Sequence, residues 1–97
     1  MKKQLHLYYS GKVQGIGFRY TVLDIALGQN VCGWVKNLND GRVEVLAEAQ
    51  EDTLSVFLEQ VNQHFSHYIT DITVEWFPVC LPAGRQDGEF RDFQIKF

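Results

Sequence analysis

The run Leu5-His6-Leu7-Tyr8-Tyr9-Ser10-Gly11-Lys12-Val13-Gln14-Gly15-Ile16-Gly17-Phe18-Arg19 contains the makings of a strand, a loop and the start of a helix. Leu5 to Ser10 alternates and carries aromatics, the pattern of a half-buried strand. The glycines that follow allow a tight turn and close approach of a ligand to bare N–H groups. From about Phe18 to Gln29 the apolar residues Phe18, Val22, Ile25 and Ala26 recur at helical spacing, and Gly28 and Asn30 are stop signals. A helix opening just after such a loop offers N–H groups and the positive end of its dipole, which suits an anion and above all phosphate. Arg19 adds a permanent cation whose planar fork of donors matches phosphate oxygens. Taken alone, the stretch reads equally well as a glycine turn with Arg19 a solvated charge. Two other phosphate loops are excluded. Gly15-x-Gly17-x-x-Tyr20 lacks the third glycine of the dinucleotide fingerprint, and Gly11-Lys12-Val13 lacks the Ser or Thr of a nucleotide P-loop.

The remaining elements extend outward from this start. Val31 to Lys36 reads as a second strand, Asn39-Asp40-Gly41 as a hairpin turn, and Val43 to Ala49 as a third strand with Val43, Val45 and Ala47 on one face. Glu51 and Asp52 suit a helix start, and Leu54, Phe57, Leu58, Val61 and Phe65 form one apolar stripe. Ile72, Val74 and Trp76 alternate as a fourth strand that Pro78 ends. Leu81 to Asp92 reads as a polar loop, and Phe93, Ile95 and Phe97 as a short last strand. The order strand-helix-strand, strand-helix-strand predicts an α+β, ferredoxin-like split βαβ fold, with two helices on one face of a mixed sheet. Right-handed crossover makes the first two strands parallel, with the third between them. Their C-terminal ends then lie at one edge, so Asn37, at the end of the second strand, falls close to the glycine loop.

The chain has 97 residues. That length suits one small domain, 1–97, able to fold without staples. The formal net charge of -3, with no basic block, argues against a nucleic-acid or acidic-membrane partner. No apolar run reaches signal-peptide or transmembrane length, so a cytoplasmic protein is expected. Cys32 and Cys80 lack the spacing of a redox or zinc motif and read as two small buried thiols. A disulfide between them needs a fold that brings their strands together. His6, His64 and His67 are scattered, and no metal cluster is visible. Asp24, Asp40 and Glu44 read as solvated or turn residues, and Trp34, Phe18, Tyr8 and Tyr9 as core or sheet-face packing.

Two motifs in register now carry a resemblance. Gly11-x-Val13-Gln14-Gly15-Ile16-Gly17-Phe18-Arg19 is similar to the first motif of the acylphosphatase family, and Gly33-Trp34-Val35-Lys36-Asn37-x-x-x-Gly41-x-Val43 resembles its second. The resemblance runs over essentially the whole chain, including the alternating end at Phe93 and Phe97. It implies a small enzyme of ferredoxin-like fold that hydrolyses the carboxyl–phosphate bond of acyl phosphates, releasing inorganic phosphate, with no cofactor and no metal; a monomer is the default expectation for so small a chain. By position, it assigns phosphate binding to Arg19 and to the backbone of Gln14, Gly15, Ile16, Gly17 and Phe18, and assigns the attacking water to Asn37. Ile16 stands where valine is commoner, a change without consequence if the backbone does the binding. Ala49 stands where the second motif usually closes with glycine, at the far end of the third strand.

The chemistry fits so small a cast. The leaving carboxylate has a conjugate-acid pKa of roughly 4 and departs without a proton. Phosphoryl transfer passes through a loose transition state with charge on the equatorial oxygens, so positioning and electrostatics carry most of the acceleration. Two other functions compete. An RNA-recognition module shares this topology, but its aromatic motif belongs on the third strand, where Val43-Glu44-Val45-Leu46-Ala47 has none. A non-catalytic phosphate-binding or regulatory domain is the other, and the presence of both Arg19 and Asn37 disfavours it.

Overall fold

The computed structural model describes residues 2–79 and 92–96. In chain order it has β1 (Lys2–Gly11), α1 (Phe18–Gln29), β2 (Cys32–Asn37), β3 (Val43–Gln50), α2 (Glu51–His64), β4 (Ile69–Pro78) and β5 (Phe93–Lys96). The strands form one five-stranded sheet in the order β4-β1-β3-β2-β5. β3 is antiparallel to both β1 and β2, β4 is antiparallel to β1, and β5 is parallel to β2. This is the mixed sheet of the ferredoxin-like α+β fold, with β1 and β2 parallel on either side of β3.

Alternation in β1 and β3 decides which face is covered. Leu5, Leu7 and Tyr9 on β1 and Val43, Val45 and Ala47 on β3 are fully buried. They pack with Val35 of β2, with Phe18, Val22 and Ala26 of α1, and with Leu54, Phe57 and Val61 of α2. Burial of apolar area on this scale is the main drive for folding. α2 opens on an acidic first turn, Glu51 and Asp52, favourable to the positive end of its dipole.

Several boundaries differ from the sequence reading. β1 runs to Lys2 and β4 begins at Ile69, because the two strands pair from Lys3↔Pro78 to Gly11↔Ile69. α1, by contrast, spans Phe18–Gln29 as expected; it runs through Gly28 and is capped by Asn30, whose left-handed backbone (φ 57°) directs its N–H to the carbonyls of Ala26 and Leu27. Ile25 packs only partly against the core, and Val74 and Trp76 stay exposed on the edge strand. Cys32 is half-buried rather than buried, and burial raises its thiol pKa. Cys80, the stretch 81–91 and Phe97 lie outside the described residues. Ala49 pairs with Lys3 at the opposite end of β3 from Val43, and is buried.

Register places the site. Val43, the first residue of β3, lies opposite Tyr9 near the end of β1 and opposite Asn37 at the end of β2. The β1–α1 loop and the β2–β3 turn therefore leave the sheet from the same end.

Candidate active site

The β1–α1 loop is fixed at both its ends. At its start, Lys12 N–H donates to the Tyr68 carbonyl at 2.9 Å. At its end, Phe18 is 2 % exposed and anchors the head of α1. Its ring stacks on Phe65 at 4.2 Å and tilts against Tyr9 at 5.1 Å, contacts worth about 0.5–1.5 kcal/mol each beyond area burial. Between these anchors Gly15 and Gly17 both have φ of 79°. Gly17 is the N-cap, with no side-chain cap, and the helix ladder starts with Thr21 N–H donating to Gly17 O at 3.1 Å. The positive end of α1 is thus directed at the loop.

The β2–β3 turn closes opposite. Leu38 N–H donates to the Arg42 carbonyl at 2.8 Å and Gly41 N–H to the Leu38 carbonyl at 3.2 Å. Asp40 accepts from the Arg42 backbone N–H at 3.1 Å and from the guanidinium at 2.8 Å. Those contacts, the backbone N–H first, hold its carboxyl below the usual carboxylate range.

A pocket of about 100 Å³ lies between loop and turn, lined by Val13, Gly15, Gly17, Phe18, Arg19, Tyr20 and Asn37. Arg19 and Asn37, 18 positions apart in sequence, share it. Of the other residues expected at the phosphate, Gly15, Gly17 and Phe18 line it and Gln14 and Ile16 do not. Val13 and Tyr20 are additional lining residues. Among the described residues, Asn37 Oδ1 is the one buried side-chain polar atom without a hydrogen-bond partner. Leaving such an atom unsatisfied costs about 1–3 kcal/mol, so its place here calls for a functional reason.

Gln14 has a use the sequence did not signal. Its Nε2 donates to the Leu38 carbonyl at 2.8 Å and to the Arg42 carbonyl at 2.9 Å. The side chain thereby ties the loop to the turn. Glu44 departs from the solvated role expected for it. It is largely buried on the helix-free face, 2.6 Å from His6 Nε2, and its hydrogen bond with Tyr8 raises the phenol pKa. The Arg42 guanidinium covers the Tyr8 ring at 4.8 Å. Trp34 faces the same side beneath Lys96 Nζ, 4.7 Å from its ring.

A larger, open hollow of about 430 Å³ runs along α2. Its described lining residues, Ser55, Leu58, Glu59, Asn62, Gln63 and Ser66, include no cation to hold a phosphate. Among the described residues there is no group of three or more His, Cys, Asp or Glu arranged to hold a metal, and no helix is long and apolar enough to cross a membrane.

Known proteins repeat both the fold and the sequence. An acylphosphatase family model matches residues 5–95. The chain is 49% identical over 96 residues to an acylphosphatase of Bacillus velezensis, covering 97% of this chain and 98% of that one. It is 39% identical over 97 residues to one from Syntrophus aciditrophicus, covering 100% and 95%. The crystal structure of acylphosphatase from Bacillus subtilis superposes with a TM-score of 0.80 at 39% identity, covering 98% of this chain and 99% of that one. With a family model spanning nearly the whole chain and relatives aligned end to end, this chain belongs to the acylphosphatase family of hydrolases.

Proposed function

We propose that this protein hydrolyses acyl phosphates to a carboxylate and inorganic phosphate by direct attack of one water molecule. The phosphoryl group sits in the β1–α1 loop, held by the backbone of residues 14–18 and by the Arg19 guanidinium. Asn37 orients the water through its side-chain amide. The water oxygen forms a bond to phosphorus, and the bond from phosphorus to the bridging oxygen breaks with its electron pair leaving on the carboxylate. The water's proton passes to phosphate or solvent. No acid is needed for the leaving group, whose conjugate-acid pKa is roughly 4, and no strong base is needed for a loose transition state. The same reasoning removes any requirement for a metal.

One observation carries the reading: the buried Asn37 Oδ1 has no partner among the described residues, in the same pocket that Arg19 lines. An acceptor so placed suits a water whose proton it holds while the lone pair faces phosphorus. The deciding experiment is hydrolysis of benzoyl phosphate with EDTA present, comparing wild type, Arg19→Ala and Asn37→Ala, with folding checked by circular dichroism. Turnover by the wild type and its loss in both folded variants is the expected result. A folded wild type that binds phosphate without turning over substrate would leave a non-catalytic phosphate-binding domain in its place.

A further inference from the structure

The sheet by itself holds the two halves of the site only indirectly. β1 and β2 are not neighbours, because β3 runs between them, with Val43 opposite both Tyr9 and Asn37. Two strand spacings, about 9–10 Å, therefore separate the strand that leads into the phosphate loop from the strand that ends in Asn37. β3 begins at Val43, so it offers no further residue of the strand to bridge them beyond that point. The Gln14 side chain does bridge them. Both of its amide N–H donors are committed, one to Leu38 O at 2.8 Å and one to Arg42 O at 2.9 Å. These two carbonyls are the same ones that accept the turn's own hydrogen bonds, from Gly41 N–H and Leu38 N–H. Gln14 thus completes the closure of the turn, and its anchor at Leu38 is the residue next to Asn37. At the other end, Gln14 directly precedes Gly15, which lines the pocket.

We infer that the Gln14 side chain is a positioning residue, a clamp that sets the distance and angle between the bound phosphoryl group and the water held by Asn37. The inference rests on the hydrolytic reading above. A water misplaced by about 1 Å lowers the rate by roughly a hundredfold in well-aligned sites, whereas ground-state binding of phosphate depends only on the loop and Arg19. The clamp therefore acts on kcat and leaves phosphate binding nearly unchanged. Because it acts through Asn37, its effect is present only while Asn37 holds the water.

The test is a double-mutant cycle on Gln14→Met, which keeps the length of the side chain but removes both donors, and Asn37→Ala. Benzoyl phosphate kinetics and the inhibition constant of inorganic phosphate are measured on all four proteins, with melting temperatures recorded alongside. Gln14→Met is expected to lower kcat by about 10–100-fold and to shift the phosphate inhibition constant by no more than about threefold. The double variant is expected to match Asn37→Ala within about threefold. Gln14→Leu, which likewise lacks an N–H donor and adds no charge beside the phosphate loop, substitutes if Gln14→Met does not fold. Losses that multiply in the double variant, or equal losses in kcat and phosphate binding, would overturn the clamp. So would an unchanged kcat beside a lowered melting temperature, the outcome of a purely structural bond. A wild type without turnover sinks the hydrolytic reading itself, whereas active wild type with an indifferent Gln14 sinks only this inference.

Discussion

The connection from β1 to α1 and the turn from β2 to β3 both border the pocket, yet one offers it backbone and the other a side chain. Along the loop the lining positions Gly15 and Gly17 contribute no side chain, Ile16 between them does not line the pocket, and buried Val13 adds an apolar wall with no polar group. Along the turn, Asn37 is the residue that reaches it, with the buried Oδ1. A backbone site is specified by conformation and tolerates changes of side chain that keep the conformation. A side-chain site is specified by one functional group and does not tolerate its removal. On the proposed mechanism Arg19 belongs to the second kind, although it stands on the helix that follows the loop.

The contrast can be broken or sharpened by substitution. Arg19→Lys should have the largest effect, a loss in kcat/KM of about a hundredfold or more, because a point charge cannot replace a planar fork on phosphate. Near-normal kcat/KM in steady-state assays would remove Arg19 from the phosphate site. Asn37→Ala should lower kcat by about a hundredfold while the inhibition constant of inorganic phosphate changes little. Equal losses would make Asn37 part of the scaffold. On the backbone side, Gly17→Ala tests conformation alone, since a Cβ there meets nothing within 4 Å but the backbone has φ of 79°. Strain of about 1–2 kcal/mol is expected, read as a fall of several degrees in melting temperature. An unchanged melting temperature would show that the N-cap tolerates an ordinary residue.

The smallest effect is expected at the turn's own brace. Asp40 has a folded-state pKa below that of a free carboxylate, chiefly because the Arg42 N–H and then its guanidinium favour the ionised form. A depressed folded pKa contributes stability above the unfolded value of about 4 and loses it as pH falls through the lower folded value. Asp40→Asn should therefore melt slightly earlier than wild type near neutral pH, and the gap should close below about pH 4. The gap is small because the pair is solvent-exposed. A gap that widened on acidification would reverse the assigned sign.

Much of this was legible in the order of residues. The limits of α1, the stripe of α2 and the turn at Asn39-Asp40-Gly41 follow local patterns, and local patterns are what periodicity reports. The meeting of Arg19 and Asn37 in one pocket was also legible, because crossover handedness makes β1 and β2 parallel and brings their ends to one edge. The ends of β1 and β4 were not. Lys2 to Gln4 and Ile69 to Asp71 are strand because they pair with partners distant in sequence, and their own side chains give little sign of it. The His6–Glu44 contact was hidden for the same reason, being a cross-strand pair 38 positions apart.

Local pattern alone specified the element order, the apolar faces of the two helices and of β1 and β3, and the presence of a glycine loop with a cation behind it. These depend on propensity and on periods of two or 3.6 residues, which act over a few neighbours. Tertiary packing settled the rest: Asn37 Oδ1 is buried with no partner among the described residues, and the Gln14 amide spans from loop to turn. Burial and hydrogen-bond satisfaction are properties of what surrounds a group, and here those surroundings come from segments far apart in the chain.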